Sequence, residues 1–200
     1  KSNKKISNNI NNIKNIKNIK ELEIYIKESI SCALKKQAKS TVLGEGNINS
    51  SIMFIGEAPG AEEDRQGFPF VGRSGNLLDR LLSEELGIER STCYIANVVK
   101  CRPPENRNPK SDEIIACKPW LDYQLDLVSP KVIVTLGNFA SKLLLNTDTG
   151  ITRLRDRSYD FFGRHLVPTF HPAAALRGGA SVLACMRSDL IRAKHLIEDL

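Results

Sequence analysis

Short apolar runs alternate along the chain with amphipathic stretches. SIMFI (51–55), YIANVV (94–99), KVIVTL (131–136) and HLVPTF (165–170) are such runs. Their length and bounding Gly, Asn or Pro residues predict strands. Continuous apolarity, as in KVIVTL, predicts a parallel strand covered on both faces. Between them, SGNLLDRLLSEEL (74–86), SDEIIACKPWLDYQLDLV (111–128), FASKLLL (139–145) and residues 181–199 predict helices. Ser74 and Ser111 are candidate N-caps, Gly87 is a candidate C′ residue, and Pro119 predicts a kink. Pro168 suggests an edge strand or a bulge. Residues 151–163 read as an irregular or hairpin segment. Alternating β and α elements imply a three-layer α/β/α fold with a mostly parallel central sheet.

The N-terminal pattern differs. Residues 1–20 are low-complexity Asn, Ile and Lys, with Ile at 10, 13, 16 and 19. Asn is a poor helix former, so this segment reads as a disordered basic arm, either a solvated tail or a DNA contact. ELEIYIKESI (21–30) has Leu22, Ile26 and Ile30 on one face of a short helix. Residues 21–200 form the expected single domain. The net charge of +6 is concentrated early: residues 1–43 hold 10 lysines and 3 acids, whereas 44–200 hold 19 basic and 20 acidic residues. The basic pI therefore says little about the folded domain's partners. No run of 18 apolar residues occurs, so no membrane span is expected. A basic N-terminus without an apolar core and an odd count of 5 cysteines point to a cytoplasmic protein with reduced thiols or a metal site. A monomer is expected.

Candidate chemistry lies where the strands stop. GEAPG (56–60) follows the first strand, Asn97 falls near the end of the second, Gly137-Asn138 follows the third and His171 the fourth. In open α/β sheets, the carboxyl ends of strands line one ligand crevice. Glu57, Asn97 and His171 can share that crevice or serve as satisfied loop residues. GEAPGAEED has neither P-loop nor dinucleotide spacing, and Glu57, Glu62, Glu63 and Asp64 would repel a polyphosphate. A neutral ligand, read by hydrogen bonds and stacked on Phe68-Pro69-Phe70, fits better.

GEAPGAEEDRQGFPFVG, NVVKCRPPENRNP and FHPAAALR together resemble the family 4 uracil-DNA glycosylases, from about residue 29 to the C-terminus. The resemblance implies excision of uracil from DNA after the base is flipped out. It makes Asn97 the base reader, Phe70 the stacking ring, and Glu63 the residue beside uracil C5. His171 becomes the donor to O2, and Glu57, Ala58 and Pro59 form the turn of the pocket. Glu57 is also the candidate to orient water, since the position two after Gly56 is Ala58 rather than an aspartate. Arg73 and Arg177 are expected phosphate contacts, and Leu176 a wedge on a loop after His171. A non-catalytic DNA-binding or polymerase-associated domain is the rival reading. A sugar-capturing crosslinker is disfavoured because VVKCRPPENRNPKSDE holds no histidine.

The resemblance also implies a [4Fe–4S] cluster on four cysteines. Cys32, Cys101 and Cys117 match three positions; the fourth is Ser29. A missing thiolate weakens such a site, so the cluster is expected to be labile or lost. Cys93 and Cys185 match no ligand position.

Overall fold

The computed structural model describes residues 32–198. The amphipathic helix expected at 21–30, the N-terminal arm and Ser29 lie outside them. Among the described residues, six strands form one sheet: β1 (Glu45–Gly46), β2 (Ile52–Gly56), β3 (Tyr94–Asn97), β4 (Val132–Leu136), β5 (Tyr159–Phe161) and β6 (Arg164–Thr169). Their spatial order is β1-β3-β2-β4-β6-β5. The four central strands are parallel and the two edge strands pair antiparallel.

Helices cover both faces. They are α1 (Ala61–Gln66), α2 (Arg73–Leu81), α3 (Ser111–Val128), α4 (Asn138–Leu145), α5 (Ile151–Leu154) and α6 (Pro172–Glu198). Strand alternation divides the core. Met53 and Ile55 pack with Trp120, Leu121 and Leu125 of α3. Ile52 and Phe54 point the other way, toward Leu77 and Leu78 of α2 and Met186 and Leu190 of α6. The three-layer architecture follows from these two apolar faces.

Several local expectations are corrected. α2 begins at Arg73 after an extended Gly72, so Ser74 lies inside its first turn. A π-helical turn, Leu82–Leu86, follows, and Gly87 closes it in the left-handed conformation at φ 69°. The N-cap of α3 is Lys110, not Ser111, because the Glu113 carboxylate reaches back to accept the Lys110 N–H at 2.8 Å. α3 passes through Pro119 as one helix. β6 is not an edge strand, yet β5 pairs only with Arg164–Leu166, so Pro168 lies beyond its partner on that side.

The segment after His171 is helical, not a loop. Pro172 suits a first helical turn and alanines continue it. The helix is broken at Gly179, where φ 72° and ψ −156° are non-helical. Leu176 and Arg177 therefore ride on a short helical piece ahead of the long C-terminal helix.

Candidate active site

The register sets the site. Gly56 at the end of β2 pairs with Asn97 at the end of β3. The backbone continues this tie, as Val98 N–H donates to Gly56 O and Val99 N–H to Glu57 O. At the end of β4, Gly137 N–H donates to Thr169 O, drawing His171 alongside. Gly137 has φ 101°, and a Cβ there would lie 3.0 Å from His171 Cβ. The four strand ends open into one crevice of about 960 Å³.

Glu57, Ala58, Pro59, Glu63, Phe70, Asn97, His171 and Arg177 all line it. Arg73 and Leu176 are exposed and do not form its walls. Their neighbours Ser74 and Arg177 do, which puts both residues near the rim.

Asn97 is buried, yet its Oδ1 has no hydrogen-bond partner. A buried, unpaired acceptor is costly unless a ligand satisfies it. Lys100 holds its backbone: the fully buried Nζ donates to Asn97 O and to Gln124 Oε1, each at 2.6 Å. Burial pushes the Lys100 amine down to about 8. Gln124 in turn donates to Leu43 O at 2.8 Å.

Phe70 stands over Gly56. A Cβ on Gly56 would sit 2.4 Å from Asn97 Oδ1 and 2.6 Å from Phe70 Cζ. Only a glycine leaves the space between the Asn97 amide and the Phe70 ring open. Glu63 has a further structural duty. Its Oε2 accepts the Gly60 N–H at 3.1 Å, and its Oε1 accepts from Val71 and Gly72 at 3.1 and 3.2 Å. The carboxylate thus clasps the GEAPG turn to the Phe70 loop.

His171 Nδ1 accepts the Ala173 N–H at 3.1 Å. In the neutral ring, the proton therefore resides on Nε2. Burial, and secondarily the Arg177 charge, lower its pKa to about 4, with Glu63 opposing. Burial also raises the Glu57 carboxyl above its ordinary range.

Sequence reasoning assigned no role to other lining residues. Asn106, Asn108, Asn138, Phe139 and Lys142 extend the crevice beyond the strand ends. Asn138 was visible as the residue after Gly137; the others occupy unremarkable loop and helix positions.

Cys32, Cys101 and Cys117 are buried in the core face beneath α3. The Cys32 thiol is hydrogen-bonded to Cys117, which lowers it to about 7 while the Cys117 thiol is pushed up. Burial, opposed by a hydrogen bond to Thr41 and aided by Cys32, pushes the Cys101 thiol up to about 11. Among the described residues, no group of three or more His, Cys, Asp or Glu is gathered to hold a metal ion. Cys93 lies in the opposite core face.

The profile of the uracil DNA glycosylase superfamily matches residues 43–191. Its fold class is the one described above. Within that superfamily, the chain belongs to the type-4 uracil-DNA glycosylases. It is 46% identical over 163 residues to the type-4 uracil-DNA glycosylase of Sulfurisphaera tokodaii, covering 76% of this chain and 74% of that one. It is 42% identical over 176 residues to the type-4 enzyme of Thermotoga maritima, covering 86% and 91%. A more distant likeness, 31% over 145 residues, is to a DNA polymerase of Bacillus phage SP01, covering 72% of this chain and 16% of the polymerase.

Proposed function

We propose that this protein excises uracil from DNA by hydrolysing the bond between uracil N1 and the sugar C1′. The observation that carries this reading is the unpaired Asn97 Oδ1, buried opposite Phe70 and facing a cavity. An extruded uracil presents N3–H to that oxygen and O4 to the amide N–H. Cytosine presents the reverse pattern there and is rejected. Phe70 stacks on the base, and the Glu63 side of the pocket crowds C5, where thymine bears a methyl.

As the C1′–N1 bond breaks, its electron pair leaves with uracil and charge grows on O2. His171 Nε2–H donates to that oxygen, with the backbone N–H groups of Glu57 and Ala58 beside it. A neutral imidazole stabilises the anion without protonating it. Glu57 orients the water that attacks C1′, and the water's proton passes to solvent. Arg73 and Arg177 contact phosphates and Leu176 fills the vacated stack. The substrate is uracil-containing DNA, and the protein acts as a monomer. Among the described residues, no helix is long and apolar enough to cross a membrane.

We also propose a [4Fe–4S] cluster. The three buried cysteines supply the right donor atoms, and Ser29 occupies the fourth position outside the described residues. Bound there, the cluster would cross-link the N-terminal segment, the Cys101 loop and α3. It takes no part in the chemistry assigned to the crevice.

Release of free uracil from labelled DNA is the direct test. Absence of uracil release by intact, DNA-binding protein would favour the rival reading, a non-catalytic domain akin to part of the phage polymerase.

A further inference from the structure

The stacking ring is held in a strained conformation by a residue outside the crevice. Phe70 has φ 50°, a left-handed value that a bulky side chain rarely adopts. Such a conformation persists only when its surroundings over-determine it. Two contacts act on its carbonyl. Gly75 in the first turn of α2 lets Phe70 O approach so closely that a Cβ at Gly75 would lie 1.7 Å from it. Arg90 Nη1 then donates to Phe70 O at 3.1 Å, and Arg90 Nη2 donates to Pro69 O.

Arg90 is itself fixed. Its Nη1 also donates to Asp79 Oδ1 at 2.9 Å, and its Nε donates to Glu45 of β1. The guanidinium thus ties an edge strand, helix α2 and two successive carbonyls of the stacking loop. It stands just before β3, the strand that ends in Asn97. One side chain therefore links the start of the reading strand to the ring that faces its end. Resting on the reading of the crevice as a uracil site, we infer that Arg90 is a positioning residue. It fixes the Phe70 ring at the height over Gly56 that lets a pyrimidine stack while Asn97 reads its edge. It touches no substrate.

A planar fork with five donors can serve two carbonyls and two carboxylates at once, and lysine cannot. Arg90→Met should slow single-turnover uracil release at saturating DNA by roughly ten- to a hundredfold, the scale of an ångström-sized misplacement. DNA affinity should change far less. Arg90→Lys should recover only part of the rate, because it keeps the charge and loses the fork. The decisive measurement is the double variant. If Arg90 acts through the ring, Arg90→Met should add no loss in a Phe70→Ala background. Thermal unfolding is followed on every variant, and Arg90→Lys replaces Arg90→Met throughout if the latter does not fold. Additive losses in the double variant, or a wild-type rate in folded Arg90→Met, would overturn the assignment. Wild-type protein that releases no uracil would instead overturn the reading of the crevice.

Discussion

The rings of Phe70 and His171 stand 5.5 Å apart between centroids, with their planes tilted by 30°. That is contact range for two aromatic rings, so no base fits between them as a sandwich. On the proposed reading, a uracil stacked on Phe70 would meet the edge of His171 at its N–H, so that stacking and charge stabilisation would be separable by mutation.

Asn97→Asp removes the amide N–H that would meet O4 and places a carboxylate in its stead. An unpaired buried polar group costs ~1–3 kcal/mol, so uracil release should fall about 5- to 150-fold. Activity on cytosine, which offers an amino group at that edge, should rise relative to uracil. Parallel excision assays on uracil- and cytosine-containing strands measure both. Unchanged uracil kinetics would remove Asn97 from base reading.

Gly56→Ala should close the slot while leaving every polar group of the pocket in place. The new Cβ would fall 2.4 Å from Asn97 Oδ1 and 2.6 Å from Phe70 Cζ. Overpacking of this kind costs ~1–3 kcal/mol of stability, and misplacement of ring or amide should lower the rate by about 10². A folded variant with normal uracil release would show that the base does not use this space.

His171 should remain neutral throughout the physiological range. Its ring titrates near 6.5 in an unfolded chain and at about 4 in the folded one. Between those values the unfolded state binds more protons. The group's contribution to stability is therefore full above pH 6.5 and is lost as pH falls toward 4. Histidine NMR titration, with the resonance assigned by its loss in His171→Gln, should show no His171 transition near 6.5. His171→Ala should slow the bond-breaking step by roughly 10²–10³ and leave DNA affinity nearly intact. Collapse of affinity at an unchanged saturated rate would make His171 a binding residue.

Ser29→Cys should raise iron retention. A thiolate is the preferred ligand, and Cys32, Cys101 and Cys117 are buried in the same core face. Iron and sulfide content after anaerobic purification, and their decay in air, compare wild type with variant. The melting temperature should rise with occupancy, since a group bound only by the folded state stabilises it. A wild type with a full, air-stable cluster would refute the weakened site, and a variant without iron would show that the site is lost.

The strands, and hence the crevice, were legible because apolar runs bounded by turn residues admit few alternatives. SIMFI and KVIVTL correspond to β2 and β4 within a residue or two. Helix beginnings were less legible. Serine at 74 and 111 suggested caps, but an extended Gly72 and the Glu113 carboxylate decide where α2 and α3 start. The helical piece carrying Leu176 and Arg177 was hidden by the glycines that follow it. Arg90 and Lys100 could not be singled out, because their partners are backbone carbonyls and side chains that no sequence pattern marks as neighbours. The structural duty of Glu63 was hidden too, since Val71 and Gly72, which donate to its Oε1, lie on the far side of a loop.

Asn97 ends β3 and His171 follows the end of β6, and β2 and β4 lie between those two strands. Three inter-strand steps set the two chains about 14 Å apart, at ~4.8 Å per step. That interval is a constant of the polypeptide backbone, indifferent to side-chain substitution. On the proposed reading, two side chains and one single-ring base would span it. The sheet would then act as a caliper, with the width of base it admits gauged by hydrogen-bond spacing as much as by the residues at its jaws. Widening this pocket to take a two-ring base would require a different strand order or longer loops, not merely smaller side chains.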